Sequence, residues 1–191
     1  MGNCLQVDQA KAAKVATNTA ETPPTSSSFT YTTNTCALEY WEPIKLLSEG
    51  SISTIHLVRK RPARVDIPYI ERAEIMQRAK KASEDFDEAT HKEPVYALKS
   101  IMKDFMDNDR YLQEMRDEIY TMSKLSHPNI AKVVQGYERR RHIYMIMEYC
   151  KGGDLTQVEG TTEKHAKAII RRVLSAVGYL HDKGVVHRDC K

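Results

Sequence analysis

The chain has 191 residues, a formal net charge of +3 and 41% hydrophobic residues, enough for one to two folded domains. A charge this small indicates no nucleic-acid partner. Its four cysteines, Cys4, Cys36, Cys150 and Cys190, contain no Cys-x-x-Cys pair, which excludes the usual zinc spacing and favours reduced thiols in a cytoplasmic compartment. No stretch approaches the ~20 apolar residues of a membrane span, and Val7–Ala20 is too polar for a secretory signal.

Residues 1–38 are rich in Thr, Ser and Ala, as in Thr22-Pro23-Pro24-Thr25-Ser26-Ser27-Ser28. Such a segment buries too little apolar surface to offset the entropy of ordering, so it is expected to be a disordered tail. Its start, Met1-Gly2-Asn3-Cys4, offers Gly2 for N-myristoylation and Cys4 for palmitoylation. One acyl chain holds a protein only marginally, and a second on the neighbouring Cys would complete an anchor on the cytosolic face of a membrane. Gln6 departs from the Ser or Thr usual at that position.

Apolar periodicity begins near Leu38, and residues 39–191 read as the folded part. Tyr40–Leu47 and Thr54–Arg59 are β-prone runs joined by the turn Ser48-Glu49-Gly50-Ser51-Ile52-Ser53. A charged insert follows at 61–93; within it Tyr69–Ser83 contains no Gly or Pro and is predicted helical. As an insert it is either a docking or regulatory element or a solvated helix without a partner. Val95–Ile101 alternates as a strand does and puts Ala97 and Lys99 on one face. Asp107–Leu125 carries Leu112, Met115, Ile119, Met122 and Leu125 at spacings of three and four, one stripe of a helix. Ile143–Cys150 reads as a buried strand running into an exposed connection. His165–His181 carries Ala168, Ile169, Val173, Leu174, Val177 and Leu180, a second apolar helix stripe, closed by Gly184. The chain finishes His187-Arg188-Asp189-Cys190-Lys191.

Five of these segments, in order, resemble the motifs of the eukaryotic protein-kinase domain. They are the hairpin around Gly50, the Val95-Tyr96-Ala97-Leu98-Lys99 strand, the Leu125-Ser126-His127-Pro128-Asn129-Ile130 stretch after the helix, the Met147–Leu155 connection with Gly152-Gly153-Asp154, and His-Arg-Asp-x-Lys at 187–191. Lys191 in the last motif matches Ser/Thr kinases, and the wording is most similar to the calcium/calmodulin-dependent kinase group. The resemblance implies an α+β fold. An antiparallel small lobe with one helix would span 39–147, a hinge 148–153, and the first helices of the α-helical lobe 154–191.

It also implies roles. Leu47, Gly50 and Ile55 would border ATP at the glycine-rich hairpin, although Ser48 and Ser53 stand where the family's first and third glycines would be. Ala97 would leave room for adenine, and Lys99 would pair with the α- and β-phosphates, held by Glu118, nine residues before His127. Met147 would guard the back of the adenine pocket, Glu148 and Cys150 would offer backbone hydrogen bonds to adenine, and Asp154 would accept from the ribose. Asp189 would take the proton from a protein Ser or Thr hydroxyl, and Lys191 would stabilise the transferring phosphate. The Mg²⁺ ligands of the family are expected beyond Lys191. The expected protein is therefore a Ser/Thr kinase present as a fragment. The alternative is an inactive short kinase-like protein that binds a nucleotide or a partner.

Overall fold

The computed structural model describes residues 29–81, 93–105, 109–151, 155 and 160–188. They fall into two compact units, Ser28–Ile119 with Val133–Tyr149, and Tyr120–Lys132 with Cys150–Lys191.

The first unit is a six-stranded sheet. Its strands are β1 (Thr30–Thr33), β2 (Trp41–Glu49), β3 (Ser53–Lys60), β4 (Val95–Met102), β5 (Val133–Glu138) and β6 (His142–Glu148). Their order is β1-β5-β6-β4-β3-β2. Every pairing is antiparallel except β1 on β5, which is parallel. Edge strand β2 slips register between Pro43 and Lys45, as expected where a proline without an N–H interrupts a ladder.

Alternation divides the sheet into two faces. One face carries Val58, Leu98, Tyr137, Tyr144 and Ile146, which close a core with Cys36, Ala37, Leu38, Trp41 and Ile67. Helix α1 (Tyr69–Lys81) packs on this outer face through Ile75 and Met76. Trp41 anchors the core: its indole N–H lies 3.2 Å from both Gln135 Oε1 and the Tyr137 hydroxyl, and its ring meets Tyr96 edge-on at 5.0 Å. Beneath α1, Glu39 is buried and accepts from Arg64 at 2.9 Å and Arg139 at 3.0 Å, with Arg72 at 3.5 Å. A buried carboxylate is tolerated only with such partners.

These contacts correct two expectations. The fold starts before Leu38, because Cys36, Ala37 and Leu38 are buried in the outer core and Thr30–Thr33 gains a ladder from β5. Composition missed this: Thr, Ser and Ala set the average over 1–38, and the run Cys36-Ala37-Leu38 is too short to shift it. The sheet is also mixed, not purely antiparallel, because β1 reaches the β5 edge from outside the expected domain. The predicted helix in the insert is present at Tyr69–Lys81, with residues 82 and 83 outside the described residues. It is not a free solvated helix, since Ala79 is buried and Ile75 and Met76 meet the core.

Helix α2 (Asp109–Lys124) carries the predicted stripe, with Ile119 and Met122 buried. Its exposed side is laced at i,i+4 by Arg110–Glu114 and Gln113–Asp117, pairs that support a helix in water. In the second unit, α3 (Glu163–Asp182) starts on Thr162, whose hydroxyl accepts from the His165 N–H, a standard N-cap. Of its predicted stripe, Leu180 is buried and Ile169, Val173 and Val177 are half-buried, whereas Leu174 is exposed; Ala176, outside the stripe, is buried. The stretch 125–130 docks on α3. Tyr179 Oη accepts from the Ser126 N–H at 3.0 Å, and His127 Nε2 lies 3.1 Å from Ser175 Oγ. Because His127 Nδ1 accepts from the Asn129 N–H, Nε2 is the nitrogen left to carry the proton.

Candidate active site

The inner face of the sheet collects several residues singled out by sequence. Lys99 lies opposite Ile55 on β3 and Met145 on β6, and Ala97 lies opposite Leu57 and Met147. Directly opposed residues share a face, so Ile55, Ala97, Lys99 and Met147 form one contiguous patch. Leu47 falls at the second register slip of β2, between Leu46 and Ser48. Ala97 and Met147 are buried and Lys99 is half-buried.

Glu118 comes to this patch from α2. It is buried at 5% exposure, which pushes its carboxyl up to about 7 against the opposing pull of the Lys99 charge. A carboxyl so placed changes charge near neutrality, and its ionised form is favoured by a cation close by. Lys99 and Glu118 are thus one electrostatic unit.

The hairpin places no demand of its own on its glycine. The Gly50 N–H donates to the Ser53 carbonyl at 2.8 Å, and Ile52 accepts from the Met102 N–H at 2.9 Å, so β3 and β4 stay paired to the tip. A methyl group at Gly50 would meet only Ser53 atoms, at 3.5 and 3.7 Å. Those are ordinary contacts, so the fold itself does not require glycine there.

Glu148 ends β6 and is exposed; Cys150 follows, half-buried, in the second unit. Gly2, Cys4, Asp154, Asp189 and Lys191 lie outside the described residues. Just before Asp189, Arg188 takes a left-handed backbone with φ 65°, uncommon for a residue with a side chain.

A cavity lies on the outer face, about 1050 Å³ in volume. It is bounded by Tyr69, Arg72 and Met76 of α1, by Ser100 and Tyr144, and by the back of the 49–54 hairpin. Its Arg139, Arg140 and Arg141 come from the β5–β6 turn. Arg139 is bonded to Glu39 and Arg141 to Asp104.

Sequence reasoning also missed a polar centre at Glu138, at the end of β5. Its carboxylate accepts from Arg116 of α2 at 2.6 and 2.9 Å, from the Tyr31 hydroxyl at 2.7 Å and from Lys103. Arg116 chiefly, with Lys103 and Tyr31, holds that carboxyl down at about 2, against the opposing effect of burial. One signal was available: Gly136, alone in a β-prone run, marks a close approach of other groups to a strand.

The profile of the protein kinase domain matches residues 87–191, more than half of the chain. The chain belongs to the protein kinase domain family. Its curated relatives are Ser/Thr kinases. The chain is 42% identical over 101 residues to calcium/calmodulin-dependent protein kinase type 1 of Macrobrachium nipponense, covering 51% of this chain and 29% of that protein. It is 39% identical over 101 residues to the enzyme of that name from Caenorhabditis elegans, covering 51% and 28%. To human NUAK family SNF1-like kinase 1 it is 38% identical over 101 residues, covering 51% and 15%. The chain therefore spans less than a third of the length of these relatives. The kinase match takes in β4, α2, β5, β6 and α3 and omits the hairpin and most of the insert, where the sequence departs most from the family's motifs.

Proposed function

We infer that the protein is an ATP-dependent serine/threonine kinase, transferring phosphate to a protein hydroxyl. The observation that carries this is that half-buried Lys99 lies within electrostatic reach of buried Glu118, on the face that also holds Ala97 and Met147. The patch fits the small-lobe half of a nucleotide site. Ala97 adds little bulk beside Met147, Lys99 supplies a cation for phosphate, and Glu118 supplies the charge that would hold that cation in place. ATP, when bound with Mg²⁺, supplies the phosphoryl group and the charge neutralisation it needs. Lys99 would orient the α- and β-phosphates, Asp189 would accept the hydroxyl proton, and Lys191 would steady the transferring group. Among the described residues no three His, Cys, Asp or Glu side chains come together to hold a metal, and the family's ligands for it are expected past Lys191.

Gly2 and Cys4 support a further element of the reading, a dual acyl anchor that would hold a cytoplasmic kinase at a membrane. Gly2→Ala would release it.

The test uses a chain extended past Lys191. Asp189→Asn and Lys99→Met are each expected to lower phosphoryl transfer by several orders of magnitude, measured with Mg²⁺-ATP and a Ser/Thr peptide. Near-normal transfer in both variants would refute the assignment.

A further inference from the structure

Strand β1 lies outside the kinase match and outside the expected domain, yet it touches the helix that carries Glu118. Tyr31 lies opposite Gly136 on β5. A Cβ added at Gly136 would sit 2.5 Å from Tyr31 Cδ2, 3.0 Å from Cε2 and 3.3 Å from Ile119 Cγ2. The absent side chain is therefore what gives the Tyr31 ring its place, against the backbone of β5 and beside Ile119 of α2. Ile119 is the residue next to Glu118.

The ring's hydroxyl extends the contact. It donates to Glu138 at 2.7 Å, and the same carboxylate takes the Arg116 guanidinium in a forked pair, a geometry that fixes direction as well as distance. Arg116 precedes Glu118 by two residues. Two routes thus run from β1 to the middle of α2, one apolar through Ile119 and one polar through Glu138 and Arg116. Lys103, at the other end of the connection into α2, binds Glu138 as well. Burial and the Glu138 charge hold the Tyr31 hydroxyl protonated, so it stays a donor over the whole working pH range.

We propose that β1 is a positioning strand for α2: Tyr31, seated on Gly136 and bonded to Glu138, sets where the helix presents Glu118 to Lys99. The segment before the kinase match thereby acts on the phosphate-binding lysine without approaching it. This rests on the kinase reading for its consequence, but not for its geometry.

The experiment uses the 191-residue chain. Backbone hydrogen exchange is followed across Asp109–Ile119, and the Glu118 carboxyl is titrated by carbon NMR, with Glu118→Gln to assign its signal. Tyr31→Phe removes one charge-assisted hydrogen bond and is expected to speed exchange in that part of α2 about tenfold, leaving β3 and β4 unchanged. Gly136→Ala displaces the ring and should do at least as much. In both, Glu118 gains water and its midpoint moves down from about 7 toward the ordinary carboxylate range. A merely structural Tyr31 would loosen β1 alone. Unchanged α2 exchange and an unchanged Glu118 midpoint in Tyr31→Phe, with β1 itself exchanging faster, would overturn the proposal. Binding of a fluorescent ATP analogue is measured on the same variants. Loosening of α2 with no change in nucleotide affinity would uphold the positioning role and count against the nucleotide-site reading alone.

Discussion

The two faces of one sheet are both buried, but they use their charged groups differently. On the outer face Trp41, Val58, Leu98 and Ile146 are almost wholly buried among other apolar groups, and α1 lies over them. The inner face is apolar as well, with Leu57, Ile101, Ile143 and Met145 buried, but it also holds Lys99, with Glu118 of α2 near enough to feel its charge. Burial of the Glu118 carboxyl gains no stability, since a desolvated carboxyl is a cost to folding. The outer face keeps the sheet in shape, and the inner face uses that rigidity to hold charged groups where water alone would not place them.

The largest effect should come from neighbours in sequence that point in opposite directions. Leu98→Ala is expected to cost about 2–5 kcal/mol, as for other buried leucines. Lys99→Met should change stability by less than half of that, because Glu118 can take up a proton and so leaves no bare buried charge. Urea unfolding of both variants measures the difference. Equal losses would mean that the Lys99 side chain carries as much of the packing as a core leucine.

The faces should also differ in the sign of their pH dependence. On the outer face His56 is buried, and among the described side chains its Nδ1 has no hydrogen-bond partner. Burial pushes its pKa down to about 4, with Glu49 pulling the other way, and Glu49 is itself bridged to Lys80 of α1. The unfolded chain then holds more protons than the folded one between about pH 4 and 6.5, so His56 makes stability rise with pH in that window. Glu118 does the reverse. Its folded pKa of about 7 lies above the unfolded value, so from about pH 4.5 to 7 it makes stability fall as pH rises. In the parent chain the two slopes oppose each other. Glu118→Gln should unmask a rising curve between about pH 5 and 6.5, and His56→Gln a falling one. Thermal unfolding across that range would show it. Two parallel curves would remove the contrast between the faces.

The smallest effect is expected at the hairpin. Gly50→Ala should leave stability within about 0.5 kcal/mol, since a methyl group there meets only ordinary contacts. Any loss in nucleotide binding would then report crowding of the ligand rather than damage to the turn.

Much of this was legible in sequence. Periodicity located α2 and α3 to within a few residues, and alternation around Ala97 and Lys99 defined the inner face before any coordinates. What escaped was non-local. Thr30–Thr33 has no apolar pattern of its own and becomes a strand only because β5 offers it an edge. Glu138 looks like any acidic residue until Tyr31, Lys103 and Arg116, distant in sequence, converge on it. At Gly50 the fold makes no demand of its own for glycine, and only the space around the residue reveals that.

Strand β1 also has a consequence for how molecules of this protein meet each other. Without it, β5 would present a row of unpaired N–H and C=O groups beside the smooth patch at Gly136, a template on which a strand from another chain could dock. With β1 in place the sheet is bounded on that side by four residues, most of them exposed threonines, and on the other by β2 with its proline and two slips of register. The first border is short and the second irregular, which disfavours a further strand on either side, so the short N-terminal strand also works against propagation of the sheet between molecules.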